Sequence, residues 1–437
     1  MTADGAQTTT APGTIEPGTI EPGTIEPGMI GPGMIGPGIN VHWRGNLYVA
    51  LFGSFTTIVG MTLFLPFLPL YVAHLGVTSQ SAIVQWSGVA FGATFLAAGM
   101  VAPLWGKLAD RYGRKSMLIR ASLGMAIMIS LIGIAQNVYQ LVVLRLLTGL
   151  AGGYSSGAIS LVAIQTPKDR SGWALGTLST GVLAGSIMGP LFGGFLPDII
   201  GIRETFFLAG GMIFVAFLCT TFFIREDPAL RRRPPAPLTV SPWSIIPDRR
   251  PIYIMLVTGM LLMLANMSIE PIITVYVAQL VPGDQHVARL AGIVMAATAL
   301  ASIAAAPRVG RLADRIGARS VVTYGLAASA VLLIPQAFVT SIWQLIALRL
   351  LMGFALAGLL PSITSVIRHS VPDRVAGNIL GYSVSAQFAG QVIGPLMGGF
   401  IAAHLGMRAV FVATSIVMLA GAIFSRLALA RTARSAA

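Results

Sequence analysis

Charge is scarce in this chain. Of 437 residues, 10% are Asp, Glu, Lys or Arg, against about 25% in soluble globular domains, so most of its surface is not built to meet water. Cysteine is nearly absent: Cys219 stands alone, which excludes an internal disulfide and a cysteine-based metal centre. The five histidines (His42, His74, His286, His369 and His404) fall in loops or at the edges of apolar runs. No metal or cofactor site is therefore expected. Neither G-x-x-x-x-G-K-[ST], H-E-x-x-H nor a Ser-His-acid pattern occurs, which removes nucleotide-driven pumping and leaves a membrane-embedded enzyme as a remote alternative. The first forty residues hold no Lys or Arg, so the chain does not open like a secretory signal peptide.

Hydrophobic residues fill what charge leaves: 55% of the chain, with a mean hydropathy of +0.80. They recur in twelve blocks, about 46–72, 82–105, 117–135, 138–164, 172–196, 203–223, 252–279, 287–307, 320–339, 342–366, 377–402 and 407–427. Each can cross ~30 Å of hydrocarbon as a helix. The blocks are apolar on all sides, which excludes the alternation of barrel strands. They predict an all-α membrane protein of twelve transmembrane helices in a lipid bilayer. Before them, residues 1–41 repeat GTIEP and GMIGP and read as a disordered tail.

The net charge of +13 is not a nucleic-acid footprint. With a cytoplasmic N-terminus, all but five of the 28 Lys and Arg fall on cytoplasmic segments or adjoining span ends. The exceptions are Arg203, Arg289 and Arg408 outside, and Arg145 and Arg349 within spans. This bias predicts that both termini face the cytoplasm. The Arg- and Pro-rich stretch 225–251 reads as a cytoplasmic linker between bundles 42–224 and 252–428, with a cytoplasmic tail at 429–437.

The two bundles are copies. "GKLADRYGRKS" from Gly106 returns as "GRLADRIGARS" from Gly310, and "LRLLTG" from Leu144 as "LRLLMG" from Leu348, both 204 positions on. "GSIMGPLFGGF" from Gly185 returns as "GQVIGPLMGGF" from Gly390, and "PFLPLYVAHL" from Pro66 as "PIITVYVAQL" from Pro271, both 205 on. The residue lost by the second copy before its charged loop is expected to be regained between Arg170 and Gly172. With six spans per copy, the halves are parallel and related by an axis along the membrane normal.

These motifs resemble the major facilitator superfamily. G-x-L-A-D-R-x-G-R-K, here Gly106 to Lys115, matches its signature loop, and R-x-x-x-G, here Arg145 to Gly149, a second motif. G-x-x-x-G-P-x-x-G-G, here Gly185, Gly189, Pro190, Gly193 and Gly194, is similar to the fifth-helix motif of drug:proton antiporters, echoed by Gly394 and Pro395. Stretches such as "SGWALGTLSTG" (171–181) resemble the MdtG-type multidrug efflux branch. The resemblance implies two pseudo-symmetric six-helix bundles. It further implies a secondary transporter that exports small lipophilic compounds in exchange for protons, as a monomer in the inner membrane. A proton-coupled importer or facilitator of a small polar solute is the alternative. It would need more hydrogen-bonding side chains in the spans than occur here.

Site residues follow from both readings. Gly106, Asp110, Arg111, Gly113 and Arg114, with Gly310, Asp314 and Arg315, are expected to form the cytoplasmic gate loops, the glycines making tight turns. By resemblance, Asp110 meets the start of the eleventh helix, where the helix dipole favours a carboxylate by ~0.3–1 kcal/mol. Asp314 is weaker, because Ala318 stands where the first copy has Arg114. Arg145 should face protein or water, since an arginine at mid-bilayer costs at least ~2.5 kcal/mol. The resemblance links it to proton transfer; Arg349 shares its position. Pro190 should bend its helix. Of fifteen Asp and Glu, only Glu270 lies well inside an apolar run, "LLMLANMSIEPIITVYV". Its first-half equivalent is Leu65, so the fold does not require the acid. A carboxyl among apolar groups is a site for reversible proton binding, and Pro271 should distort the helix beside it. Neither the first nor the eleventh span holds an acid, so proton coupling rests on Glu270, with Asp110 and Arg145 as a relay. Gln85, Trp86, Tyr154, Asn266, Gln387 and Gln391 are candidate cavity side chains.

Overall fold

The computed structural model describes residues 42–226, 242–246, 248–283 and 286–434; the repetitive tail and most of the Arg- and Pro-rich linker lie outside them. Among the described residues every regular element is helical. The first half comprises α1 (Trp43–Thr62), α2 (Leu68–His74), α3 (Gln80–Tyr112), α4 (Arg114–Ile132), α5 (Val138–Ala151), α6 (Tyr154–Gln165), α7 (Ser171–Ile200) and α8 (Ile202–Phe223). The second repeats the order as α9 (Arg250–Ile269), α10 (Ile273–Leu280), α11 (Val287–Ile316), α12 (Ala318–Gln336), α13 (Ile342–Leu356), α14 (Leu359–His369), α15 (Asp373–Leu405) and α16 (Met407–Arg434). Eight helices per half make six spans, because α1–α2, α5–α6, α9–α10 and α13–α14 are each one broken span. The final helix continues to Arg434, past the expected end near residue 428. Its last turns, "RLALARTAR", are rich in alanine, the best helix former.

Among the described residues, eleven spans are long and apolar enough to cross a membrane by length and composition. The first span is cut to the twenty residues of α1 by the break after Thr62, and its threonine hydroxyls are turned back on its own backbone. Thr57 Oγ1 donates to the Gly53 carbonyl at 2.7 Å and Thr56 Oγ1 to that of Phe52 at 3.1 Å, which removes the desolvation cost of each group.

The repeat recurs in atomic detail. Tyr71 Oη donates to the Ile132 carbonyl at 2.5 Å, and Tyr276 Oη to that of Gln336 at 2.8 Å. The spans broken at α5–α6 and α13–α14 restart after Gly153 (φ 104) and Gly358 (φ 77), 205 positions apart and both left-handed. The extra residue of the second copy therefore enters at this break, earlier than the expected place after Arg170. In the first half the break is held by Arg120, which donates to the carbonyls of Leu150 at 3.2 Å and Gly152 at 2.9 Å.

The expected charged loops are almost wholly helical. Gly106 to Tyr112 completes α3, and Arg114 begins α4. Only Gly113 (φ 91), and in the copy Gly317 (φ 88), turns the chain, through a conformation closed to other residues. Gly106 and Gly310 make no turn; they lie inside α3 and α11. A tight reversal between long helices needs one permissive residue, not two.

The halves meet through α3 with α15 and α7 with α11, at the ends away from the charged turns. Gly88 abuts the Pro395 carbonyl and Gly292 that of Pro190, too close for a methyl group. Arg289 pairs with Asp198 across this seam at 3.5 Å, and Thr274 Oγ1 donates to the Pro66 carbonyl at 2.9 Å. At the charged end the same four helices carry Gly106, Gly172, Gly310 and Gly381, each with no atom near enough to touch an added methyl. The bundle is thus sealed at one end and parted at the other.

Candidate functional site

Arg145 and Gly149 lie one turn apart on α5, hence on one face. Gly149 presses on the Thr94 carbonyl of α3, while Thr94 Oγ1 donates to the Arg145 carbonyl at 3.0 Å. The copy is similar: Gly353 presses on the Thr298 carbonyl, and Ser302 Oγ donates to the Gly353 carbonyl at 2.8 Å. The glycine of R-x-x-x-G is what lets the fourth span approach the second. That approach buries the arginine in protein rather than in lipid: Arg145 is 1% exposed and Arg349 8%.

Each arginine addresses the break in the first span of its half. The Arg145 guanidinium lies 3.1 Å from the centre of the Phe64 ring, at the turn between α1 and α2. On the other side Pro271 interrupts the span, and Glu270 to Ile272 form a 3-10 turn between α9 and α10, as the sequence predicts. Glu270 is partly exposed there. Arg349 lies within electrostatic reach of it, and no ion pair within 4.0 Å joins them. Nε and Nη1 of Arg145 and Nε and Nη2 of Arg349 are buried without a hydrogen-bond partner among the described residues. Such donors are ordinarily paired, with water if not with protein.

The cavity candidates divide. Asn266 lies one turn before Glu270 on the same face of α9. Gln391 Nε2 reaches Met263 Sδ of α9 at 3.6 Å, and Gln387 Nε2 reaches Ser383 Oγ at 3.3 Å. These three, with Glu270 and Arg349, gather in the second half. Gln85 is at the seam, its Cα 3.4 Å from where a methyl on Gly399 would sit. Two candidates belong to packing instead. Tyr154 is 1% exposed, fills the notch at Gly53 and shares a 2.7 Å hydrogen bond with Thr220. Trp86 stands edge-on to Tyr139 at the rim of the first half's core. Tyr154 fills space because Gly53 faces it, and sequence alone does not show the facing glycine.

Asp110 is half exposed (52%) and pairs with Arg114 of its own turn at 3.3 Å. Among the described residues it has no hydrogen bond or ion pair with the start of α15, and the halves are parted at that end. Nor does it form a relay with Arg145: it lies sixteen residues beyond Thr94 on α3, about 24 Å at 1.5 Å per residue. Arg114 also donates from Nε to Ser160 Oγ at 2.8 Å, and the Glu226 carboxylate accepts from the backbone amides of Arg114 at 2.8 Å and Lys115 at 3.1 Å. Asp314, Arg311 and Arg315 are exposed.

The fifth-helix motif has two faces. Gly185, Gly189 and Gly193, four residues apart, press on Phe55, Thr62 and Leu63 of the first span. Gly194, one position round, meets the Ala288 carbonyl of the other half, 2.9 Å from an added methyl. The copy matches: Gly390, Gly394 and Gly398 press on α9, and Gly399 on Val84 of α3. Both α7 and α15 continue through Pro190 and Pro395. Sequence reading missed Phe64 and the Asp198–Arg289 pair. The first has no motif, and the second joins segments without a shared pattern.

Two repeats of six spans, each with a buried fourth-span arginine and a broken first span, define a multi-pass transporter of the twelve-helix, two-bundle class. The sequence model described as Major Facilitator Superfamily matches residues 50–288 and 283–437. The chain belongs to that superfamily. It is 42% identical over 386 residues to the multidrug resistance protein MdtG of Proteus mirabilis, covering 88% of this chain and 96% of that protein. It is 43% identical over 389 residues to MdtG of Salmonella arizonae, covering 89% and 96%. Among solved structures, the nucleoside transporter NupG superposes with a TM-score of 0.73 at 12% identity, over 88% of this chain and 99% of that one. A bacterial homolog of the human lysosomal transporter Spinster, inward-facing and occupied, gives 0.71 at 16%, over 90% and 97%. These two likenesses concern the fold alone.

Proposed function

We propose that this protein exports small lipophilic compounds in exchange for protons, by alternating access between bundles 42–224 and 252–428. The named relatives are multidrug resistance proteins, and the fifth-helix motif agrees with export. The lysine and arginine bias assigns the charged end, both termini, the linker 225–251 and the tail 429–437 to the cytoplasm. The parted arrangement is then inward-facing, in a monomer of the inner membrane. Asp110 and Asp314 act in the opposite arrangement, where they meet α15 and α7.

The observation that carries proton coupling is the place of Glu270. It is the one acid well inside an apolar run, it sits at the α9–α10 break, and Arg349 lies within electrostatic reach of it. Four residues on, Thr274 binds the Pro66 carbonyl across the sealed seam. Proton binding at Glu270 neutralises the charge within reach of Arg349 beside the contact that must part for outward opening. Arg145, stacked on Phe64, has no acid to exchange with and serves as a positioning residue. Asn266, Gln387 and Gln391 supply a few polar groups in an otherwise apolar space, with Met263 and Met267 offering adaptable contacts. The test is drug efflux in everted vesicles under an imposed pH gradient. Glu270→Gln is expected to bind substrate and to lose gradient-driven transport; full gradient-driven transport by that variant removes Glu270 from the mechanism.

A further inference from the structure

Between α12 and α16 a groove of about 500 Å³ opens at the charged end of the second half. Its floor is apolar, with Leu419 and Ile423 46% and 49% exposed. Tyr324 forms one wall, and Thr323 Oγ1 and Ser425 Oγ meet at 3.2 Å beside it. Arg319 and Arg426 flank its mouth. Both are exposed, and neither guanidinium has a hydrogen bond or ion pair among the described residues. From Arg319 to Ala327 the groove descends eight residues, about 12 Å along α12, from interface into hydrocarbon.

The first half does not repeat this pair of charges. Lys115 matches Arg319, but Thr221 stands 205 positions before Arg426. There the chain supplies its own anion: Glu226 accepts from the amides of Arg114 and Lys115. The position 205 after Glu226 is Arg431, and α12 begins without a side-chain cap. The groove itself is lined by Arg319 and Arg426 and by no carboxylate among the described residues.

We propose that this groove binds an anionic phospholipid, its phosphate between Arg319 and Arg426 and an acyl chain along Leu419 and Ile423. A zwitterionic lipid offers the same chain without the net charge, and free phosphate offers the charge without the chain. The site is separate from the Glu270 region and stands whether or not that region couples protons.

The test places a fluorophore at Ile423→Cys in a Cys219→Ser background, with the full chain in phosphatidylcholine vesicles. Brominated phosphatidylglycerol is compared with brominated phosphatidylcholine as quencher. A basic residue near the surface contributes about a fivefold preference for anionic lipid, so at least about that ratio is expected. It should fall to near unity in R319Q/R426Q and largely survive in R319K/R426K. Unchanged quenching by phosphatidylcholine shows that the double variant keeps its groove. Equal quenching by the two lipids in the parent, or an undiminished preference in R319Q/R426Q, overturns the proposal. So does displacement of the lipid by inorganic phosphate at matched ionic strength.

Discussion

The Arg145 guanidinium lies over the Phe64 ring at 3.1 Å, while Arg349, its repeat counterpart, lies within electrostatic reach of Glu270 without an ion pair to it. One architecture therefore holds a buried arginine twice, once against an aromatic face and once within reach of an acid. The aromatic version can only position; the acidic version can also change its charge.

Because the second pair acts as a unit, removing both charges should cost little more than removing one. Efflux by E270Q, R349Q and E270Q/R349Q, compared in everted vesicles, is expected to show strong non-additivity. Additive losses would mean the two residues act separately.

Phe64→Ala removes a stacked ring and leaves a void. Core Phe→Ala changes cost about 3–5 kcal/mol, and the cation–π contact adds about 0.5–2 kcal/mol. A clear fall in detergent melting temperature is expected, larger than for Phe64→Tyr, which keeps the aromatic face.

The Asp198–Arg289 pair, with side chains 21% and 35% exposed, clasps the sealed end. Asp198→Asn should weaken that end by about 0.5–1 kcal/mol, as for exposed pairs. A cysteine at buried Val84, beside the seam, should then label about two- to fivefold faster. An unchanged rate would show that the pair does not hold the seam.

Gly193 presses on the backbone of the first span, and Gly381 meets nothing. Gly193→Ala is expected to destabilise the protein or abolish transport. Gly381→Ala should leave melting temperature and efflux near the parent value in this arrangement; a matching loss would mean the charged end is closed in the resting protein.

Asp110 is exposed and its pair with Arg114 is worth about 0–1 kcal/mol. Asp110→Asn should leave melting temperature almost unchanged and still slow transport, since its contact forms only when the charged end closes. A variant with normal transport would reduce the residue to a topology marker.

Span number, repeat offset, the R-x-x-x-G arginines, the break at Pro271 and the isolation of Glu270 were all legible in the chain. Each is a matter of local composition or periodicity. Hydrocarbon admits only helices and closed barrels, whose backbones are internally satisfied, and runs apolar on all sides exclude the barrel, so apolar length nearly determines the secondary structure. The breaks after Gly153 and Gly358 were visible as glycines but carry no motif. Tyr154 and Trp86 resembled cavity residues because polarity and aromaticity are properties of a side chain, whereas facing a cavity is a property of its neighbours.

The amino-acid sequence by itself determined a duplicated six-helix membrane protein with one intramembrane acid, because bilayer thickness and charge cost act on each segment separately. Only the tertiary structure decided that Arg349 comes within electrostatic reach of that acid, that Arg145 meets a ring instead, and that the bundle is sealed at one end. Those relations join residues from 79 positions apart, as Glu270 and Arg349, to 307, as Gly88 and Pro395, and they depend on where small side chains let two backbones touch.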